Sequence, residues 1–352
     1  MVRALAYNRA PNAKYTKLAA AGGIYAAFAL YLFEPYFHNF DKLQYLLPLS
    51  VCLSSVGGYV LSRPWVSTFA GSFFAGAVYG FGPFFLSLAR FHPTAALLAA
   101  GIPWLFCPAA FVAIQPAGRA AKAKRWFGLF LLALPFLAII LFFRVAAQYR
   151  LFPVPISSKL HVADLTGLMA PLVMVRRGIV PIGFYHVPVG FLVMAFAMLL
   201  AARRIGIMAI LCVGTILASC ESVLHVSPIM WLSIPALCCS VLVGVGLQAM
   251  ASAGRTDRKW LLLAAVFMGV FSILTLLAAT KYFQVFAGLA SGYARLLTLT
   301  ARMYILGAVA VGIIFCIARA NQRLSGLRKL VLSLALTIDL FYSARFAIDT
   351  IL

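Results

Sequence analysis

The sequence predicts an all-α, polytopic transmembrane helical bundle of about 11 spans (10–12), with the N-terminus cytoplasmic and the C-terminus outside. Three observations predict it. Of 352 residues 64% are apolar and only 10% charged, with a mean hydropathy of +1.02. Apolar runs of bilayer length recur along the whole chain, and a hydrocarbon core of about 30 Å takes roughly 20 residues per helix. The basic residues alternate in density from one connection to the next, as the sorting of Lys and Arg to the cytoplasmic side requires.

The runs lie at about 18–33, 45–61, 66–88, 94–114, 126–143, 181–202, 205–226, 229–250, 260–279, 303–318 and 330–351. Eleven such helices use nearly all of the apolar residues, so no independent soluble domain fits. Residues 1–17 read as a basic cytoplasmic arm and 18–352 as one transmembrane domain. The first run is long and is followed by Glu34-Pro35-Tyr36-Phe37-His38 with no small-residue cleavage site, so it reads as a retained anchor.

A net charge of +22 would suggest nucleic-acid binding in a soluble chain. Membrane orientation accounts for it without a polyanionic ligand, and no nucleic-acid partner is expected. With the N-terminus inside, the inner segments hold Arg3, Arg9, Lys14, Lys17, Arg63, Arg119 to Arg125, Arg203, Arg204, Arg255, Arg258, Lys259, Arg319, Arg323, Arg328 and Lys329. Most of the outer cations sit in two long connections, 144–180 and 280–302. The apolar stretches inside these, about 160–176 and 283–299, are expected to be re-entrant or interfacial helices. A single crossing there would invert every downstream loop against the charge rule. Trp65, Trp126 and Trp260 each open a helix beside basic residues at the inner face, and Trp231 is expected near an outer boundary.

The seven cysteines form no CxxC pair and read as small apolar residues of the spans. No cofactor and no metal site is expected, because no zincin-type HExxH occurs.

The polar residues that remain are one-sided. All five histidines and five of the seven acids fall at or beyond the outer boundary, although the positive-inside rule sorts Lys and Arg only. Four groups follow. Glu34, His38 and Asp41, spaced i, i+4 and i+7 behind Pro35, would share one face of a short helix and suit a general base beside its orienting partner; the bland reading is a solvated loop helix. Acidic residues at this place are loosely similar in position to the first outer loop of polyprenol-dependent glycosyltransferases, a similarity that covers Glu34 to Asp41 only. Glu221 and His225, also i, i+4, would line a vestibule at the outer end of the seventh helix, with His186 on the sixth. His161 and Asp164 form a looser i, i+3 pair in the long outer connection.

Asp339 is the fourth. It lies nine positions into the last run, about 14 Å deep at 1.5 Å per residue. A carboxylate there must face the bundle interior and be protonated, paired or hydrated, and Tyr342 and Ser343 are expected to hydrogen-bond to it. The prolines within spans, Pro83, Pro103, Pro108, Pro135 and Pro235 among them, are expected to bend helices around a cavity.

The reading that gathers these features is a transporter or permease for a small or lipidic solute, with an outward polar vestibule and a midplane carboxylate, in a bacterial inner membrane. Its partners are the lipid bilayer and a small-molecule or lipid substrate. Two alternatives are a membrane-embedded transferase acting on a lipid-linked substrate at the outer face, with Glu34, His38 and Asp41 as its catalytic groups, and a structural membrane subunit.

Overall fold

A computed structural model describes residues 12–40, 44–114, 121–149, 188–201, 206–220, 223–254, 257–280, 292–319 and 325–352. The helices in chain order are α1 (Asn12–Phe33), α2 (Leu46–Ser62), α3 (Phe69–Gly80), α4 (Pro83–Phe91), α5 (Pro93–Ile114), α6 (Ala121–Tyr149), α7 (Val189–Ala201), α8 (Gly206–Ser219), α9 (Pro228–Ser252), α10 (Arg258–Ala278), α11 (Gly292–Arg319) and α12 (Ser325–Ile351). Short 3-10 turns at Glu34–Asn39 and Val223–His225 follow α1 and precede α9. Among the described residues eight helical stretches are long and apolar enough to cross a membrane. Three shorter apolar helices, Leu46–Ser62, Gly190–Leu200 and Gly206–Ser219, accompany them. Each coincides with one of the runs predicted from hydropathy, and the chain is a multi-pass helical membrane protein.

The third predicted run, 66–88, is two helices. Gly82 is extended (φ −64°, ψ 144°) and Pro83 opens α4. Proline brings no N–H for the Tyr79 carbonyl one turn back, and it drives the preceding residue out of helical geometry. The other span prolines, Pro103 and Pro108 in α5, Pro135 in α6 and Pro235 in α9, sit inside uninterrupted helices. Of these expected disruptions, only the Gly-Pro pair ends a helix.

The segment expected to be re-entrant at 283–299 is different in its second half. Residues 292–299 are the opening turns of α11, which runs unbroken for 28 residues. At about 42 Å this helix exceeds the hydrocarbon core, so its first turns, with exposed Arg295 and Arg302, extend toward the headgroup level. The segment 160–176 lies outside the described residues.

Two apolar cores hold the bundle. The larger joins α1 to α8 with the first half of α9 and the end of α12 around Tyr25, Phe33, Phe81, Phe85, Phe143 and Trp231, α7 contributing Ala195 and Leu199. The smaller joins α7, α10, α11 and the first half of α12 to the second half of α9 around Met250, Leu261, Tyr304 and Leu336. α3 and α9 contribute to both. In a bilayer lipid is as apolar as these side chains, so close packing and hydrogen bonds hold the helices together. α3 meets α2 through glycine: a methyl on Gly76 would overlap the Ser55 carbonyl oxygen, and one on Gly80 the Ser55 hydroxyl. Tyr25 and Tyr79 then donate across helices to the carbonyls of Phe73 (2.6 Å) and Ala99 (2.8 Å).

Trp231 is 1% exposed and packs on Phe136. It is a core residue and not the interface ring expected, because α9 is enclosed on all sides. Of the cysteines, which carry no disulfide among the described residues, Cys212, Cys220 and Cys316 are exposed and Cys107 and Cys238 buried. The three exposed ones lie on outward-facing positions.

Hydrogen bonds define the two ends. At one, the Gln248 side-chain oxygen accepts from the N–H groups of Ser67 (2.8 Å) and Thr68 (3.4 Å). There Arg258 Nη2 donates to the last carbonyls of α11, Ala318 (3.0 Å) and Arg319 (3.2 Å), and Arg328 Nη1 donates to Ala253 just past α9 (2.7 Å). Cations at helix C-termini satisfy carbonyls that have no intrahelical donor and oppose the negative end of the dipole. Arg63, Lys259, Arg319 and Lys329 share this end with Asp257, whose carboxylate accepts from Gly254 N–H at 2.9 Å. The opposite end carries Glu34, His38 and Asp349 at the ends of α1 and α12, His92 at the end of α4 and His225 before α9. The described titratable groups are thus sorted between the two ends as the sequence suggested.

Candidate functional site

Asp339 is half-buried on α12, in a span of Gly326–Asp349. Ten residues separate it from Asp349, about 15 Å along the axis. Its carboxylate interacts electrostatically with Tyr304, which is 5% exposed on the neighbouring α11. The Tyr304 ring is positioned by Phe271 of α10 at 5.6 Å between centroids, and Ser272 Oγ of α10 donates to the Ala301 carbonyl at 3.2 Å, pinning α11 in that rotation. A phenol beside a carboxylate can donate to it, or accept from it when the acid is protonated. The two groups lie on separate helices whose relative rotation a third helix sets.

Ser343 Oγ donates to the Asp339 backbone carbonyl at 2.8 Å, the ordinary back-bond of a helical serine. Tyr342 is 52% exposed and packs edge-on against Phe341. A residue at i+3 shares a face only loosely, and here that face turns outward.

Glu34 and His38 lie on the 3-10 turn Glu34–Asn39, with Pro35 in its first turn as expected. At about three residues per turn, positions i and i+4 diverge by roughly 120°. The common face predicted for an α-helix is absent, and both side chains are exposed. Asp41 lies outside the described residues. The exposed residue this turn does engage is Tyr36, which had not been singled out: its hydroxyl donates to Asp349 at 2.5 Å.

The Glu221–His225 pair was expected on a helix. α8 ends at Ser219, and Leu224 (φ 57°) and His225 (φ 61°) are left-handed, an arrangement uncommon for side-chain-bearing residues. His225 is exposed on this turn. Glu221, His186, His161 and Asp164 lie outside the described residues. Among the described residues no three His, Cys, Asp or Glu side chains are grouped as metal ligands would be.

No family model, no curated protein and no solved structure matches this chain. The site therefore rests on its own geometry. Tyr304 was illegible in the sequence because it sits within a long apolar run and no spacing rule links it to a residue 35 positions later on another helix.

Proposed function

We propose that this protein is a transporter or permease for a small or lipidic solute, in which Asp339 exchanges a proton or contacts the solute. One observation supports the reading: a carboxylate in the middle of the α12 span, away from either end of the bundle, lies within electrostatic range of the buried Tyr304 of α11. A carboxylate at that depth is costly to insert, by about 2.5–3.5 kcal/mol, and intramembrane acids mark proton and substrate paths. The interrupted pair α3–α4 supports it, since broken helices in membranes occur where backbone is enclosed by protein or lines a cavity. In this reading the end bearing Arg63, Arg258, Lys259 and Lys329 faces the cytoplasm, and the membrane is a bacterial inner membrane.

The test is a proteoliposome assay with a trapped pH dye, in which candidate solutes are added under an imposed pH gradient. A solute that collapses the gradient through the wild-type protein should fail to do so through Asp339→Asn, and Tyr304→Phe should slow it. Equal rates for wild type and Asp339→Asn would remove the carboxylate from the mechanism.

A further inference from the structure

Buried hydroxyls in this bundle generally find a carbonyl one turn back. Ser50, Ser54, Ser62, Ser233 and Ser240 do so at 2.5–2.9 Å. Around the corner between α4 and α5 the pattern fails. Ser87 is fully buried and its Oγ has no hydrogen-bond partner; nor has Thr94 Oγ1, in the first turn of α5. Between them His92 is 6% exposed, and neither of its ring nitrogens is bonded. Four partnerless polar atoms thus fall within residues 87–94. Buried polar groups in native proteins are satisfied by protein, water or ligand, because leaving them unpaired is expensive.

The chain itself holds the imidazole inside. His92 N–H donates to Leu88 at 2.8 Å, and its carbonyl accepts from Ala96 N–H at 2.9 Å. Pro93 forces the backbone at His92 out of the helix (φ −139°, ψ 71°), so the ring is carried inward by a locked corner. Burial lowers the pKa of His92 below its usual 6.5. The neutral ring offers one donor and one acceptor, as each hydroxyl does. α2, α3 and α5, which pack on α4, carry no charged residue. On α12, the other neighbour, Arg345 and Asp349 pair with each other at 3.0 Å. Arg90, on α4 itself, has an interaction of its own. An ion would be poorly matched here, whereas a group that both donates and accepts without charge fits.

We propose that the α4–α5 corner binds an uncharged hydroxyl-bearing group, with His92, Ser87 and Thr94 as its hydrogen-bonding partners. The proposal rests on the transport reading for the solute's role only. The hydroxyl belongs either to a soluble polyol or sugar or to the hydroxylated headgroup of a lipid, since the corner lies at the end of the bundle that carries His38 and Asp349.

The experiment is thermal unfolding of the whole protein in nanodiscs, titrated with glycerol, myo-inositol and glucose, with choline and acetate as charged controls. A second set of nanodiscs contains a glycosyl-diacylglycerol. A saturable rise of the melting temperature at millimolar solute is expected with at least one hydroxylic probe, which separates binding from the unsaturable stabilisation that polyols give by exclusion. His92→Phe should weaken half-saturation by about tenfold or more, and His92→Gln, which keeps a donor and an acceptor, should recover part of it. Should His92→Phe fail to fold, Ser87→Ala and Thr94→Val carry the same comparison. A rise with soluble probes in plain nanodiscs assigns a solute; a rise confined to the glycolipid discs assigns a headgroup. No saturable rise with any hydroxylic probe, an equal rise in wild type and variant, or a matching response to the charged controls overturns the site. Absent binding of every probe alongside Asp339-dependent proton movement would refute this site and leave the transport reading standing.

Discussion

The Tyr36 hydroxyl, just past α1, donates to a carboxylate oxygen of Asp349, near the end of α12, at 2.5 Å. Arg345 holds the same carboxylate from one turn back at 3.0 Å. The contacts leading there run in step: Phe28 and Tyr31 both pack on Phe341, at 6.3 and 6.2 Å. α1 and α12 are therefore parallel, so the chain crosses the bilayer an even number of times from the end of α1 to the end of α12, α12 included.

That parity makes a topological prediction. Ten crossings between Tyr36 and Asp349 satisfy it, as in an eleven-span protein; one extra crossing by 160–176 alone would break it. After the exposed Cys212, Cys220 and Cys316 are replaced by serine, His38→Cys and Leu352→Cys should react with an impermeant maleimide from one side of sealed vesicles. Lys259→Cys should react only from the other. Labelling of His38→Cys and Leu352→Cys from opposite sides would refute the parallel arrangement.

Arg328 is 7% exposed and its Nη1 reaches Ala253 at 2.7 Å. Hydrogen bonds to a charged group contribute about 1.5–3 kcal/mol, and removing the side chain leaves the α9 terminal carbonyl without its donor. Arg328→Ala should lower stability in detergent by an amount in that range, read from denaturant unfolding. Arg328→Lys should recover only part, since an ammonium cannot reproduce the guanidinium fork.

Glycines in the spans divide by position. Gly76→Ala should strongly destabilise or prevent folding, because the new methyl meets the Ser55 carbonyl and the Tyr59 N–H, both backbone that cannot move aside cheaply. Gly101→Ala and Gly269→Ala, where nothing lies within 4 Å, should be neutral or stabilising by up to about 1 kcal/mol from helix propensity. Equal effects at Gly76 and Gly101 would mean that α2 and α3 do not pack as closely as described.

His92 gives the stability a pH dependence of definite sign. Burial lowers its pKa from 6.5 in the folded protein, so below about pH 6.5 the unfolded chain binds a proton that the folded one does not. The contribution of the neutral imidazole is fully present above that pH and is lost as the pH falls toward the folded pKa. Melting temperatures compared at pH 8 and pH 5 should fall more for wild type than for His92→Gln. An identical drop would show that the ring titrates as if in water.

Much of the membrane architecture was legible before any coordinates. Each apolar run became helix, the third as two helices, and among the described residues Arg63, Arg258, Lys259, Arg319, Arg328 and Lys329 share one end. The misreadings have common causes. The tenth run was begun only at 303, after Arg302, although long basic side chains on the outer turns of a helix reach the headgroups without ending it. The i, i+4 pairs at Glu34–His38 and Glu221–His225 presupposed α-helix, whereas the first became a 3-10 turn and α8 stopped at Ser219. Trp231 was placed by its chemistry at an interface, yet α9 is surrounded.

The sequence by itself determined what the bilayer acts on residue by residue: which segments are apolar enough to enter it and on which side their charges remain. Only the tertiary structure decided who meets whom. Tyr304 comes within electrostatic range of Asp339, Tyr36 reaches Asp349, and the His92 ring is shut inside a corner with no hydrogen-bond partner, because each depends on the rotation and packing of helices far apart in the chain. Hydropathy carries no record of that rotation, since lipid and a neighbouring helix offer an apolar side chain nearly the same surroundings.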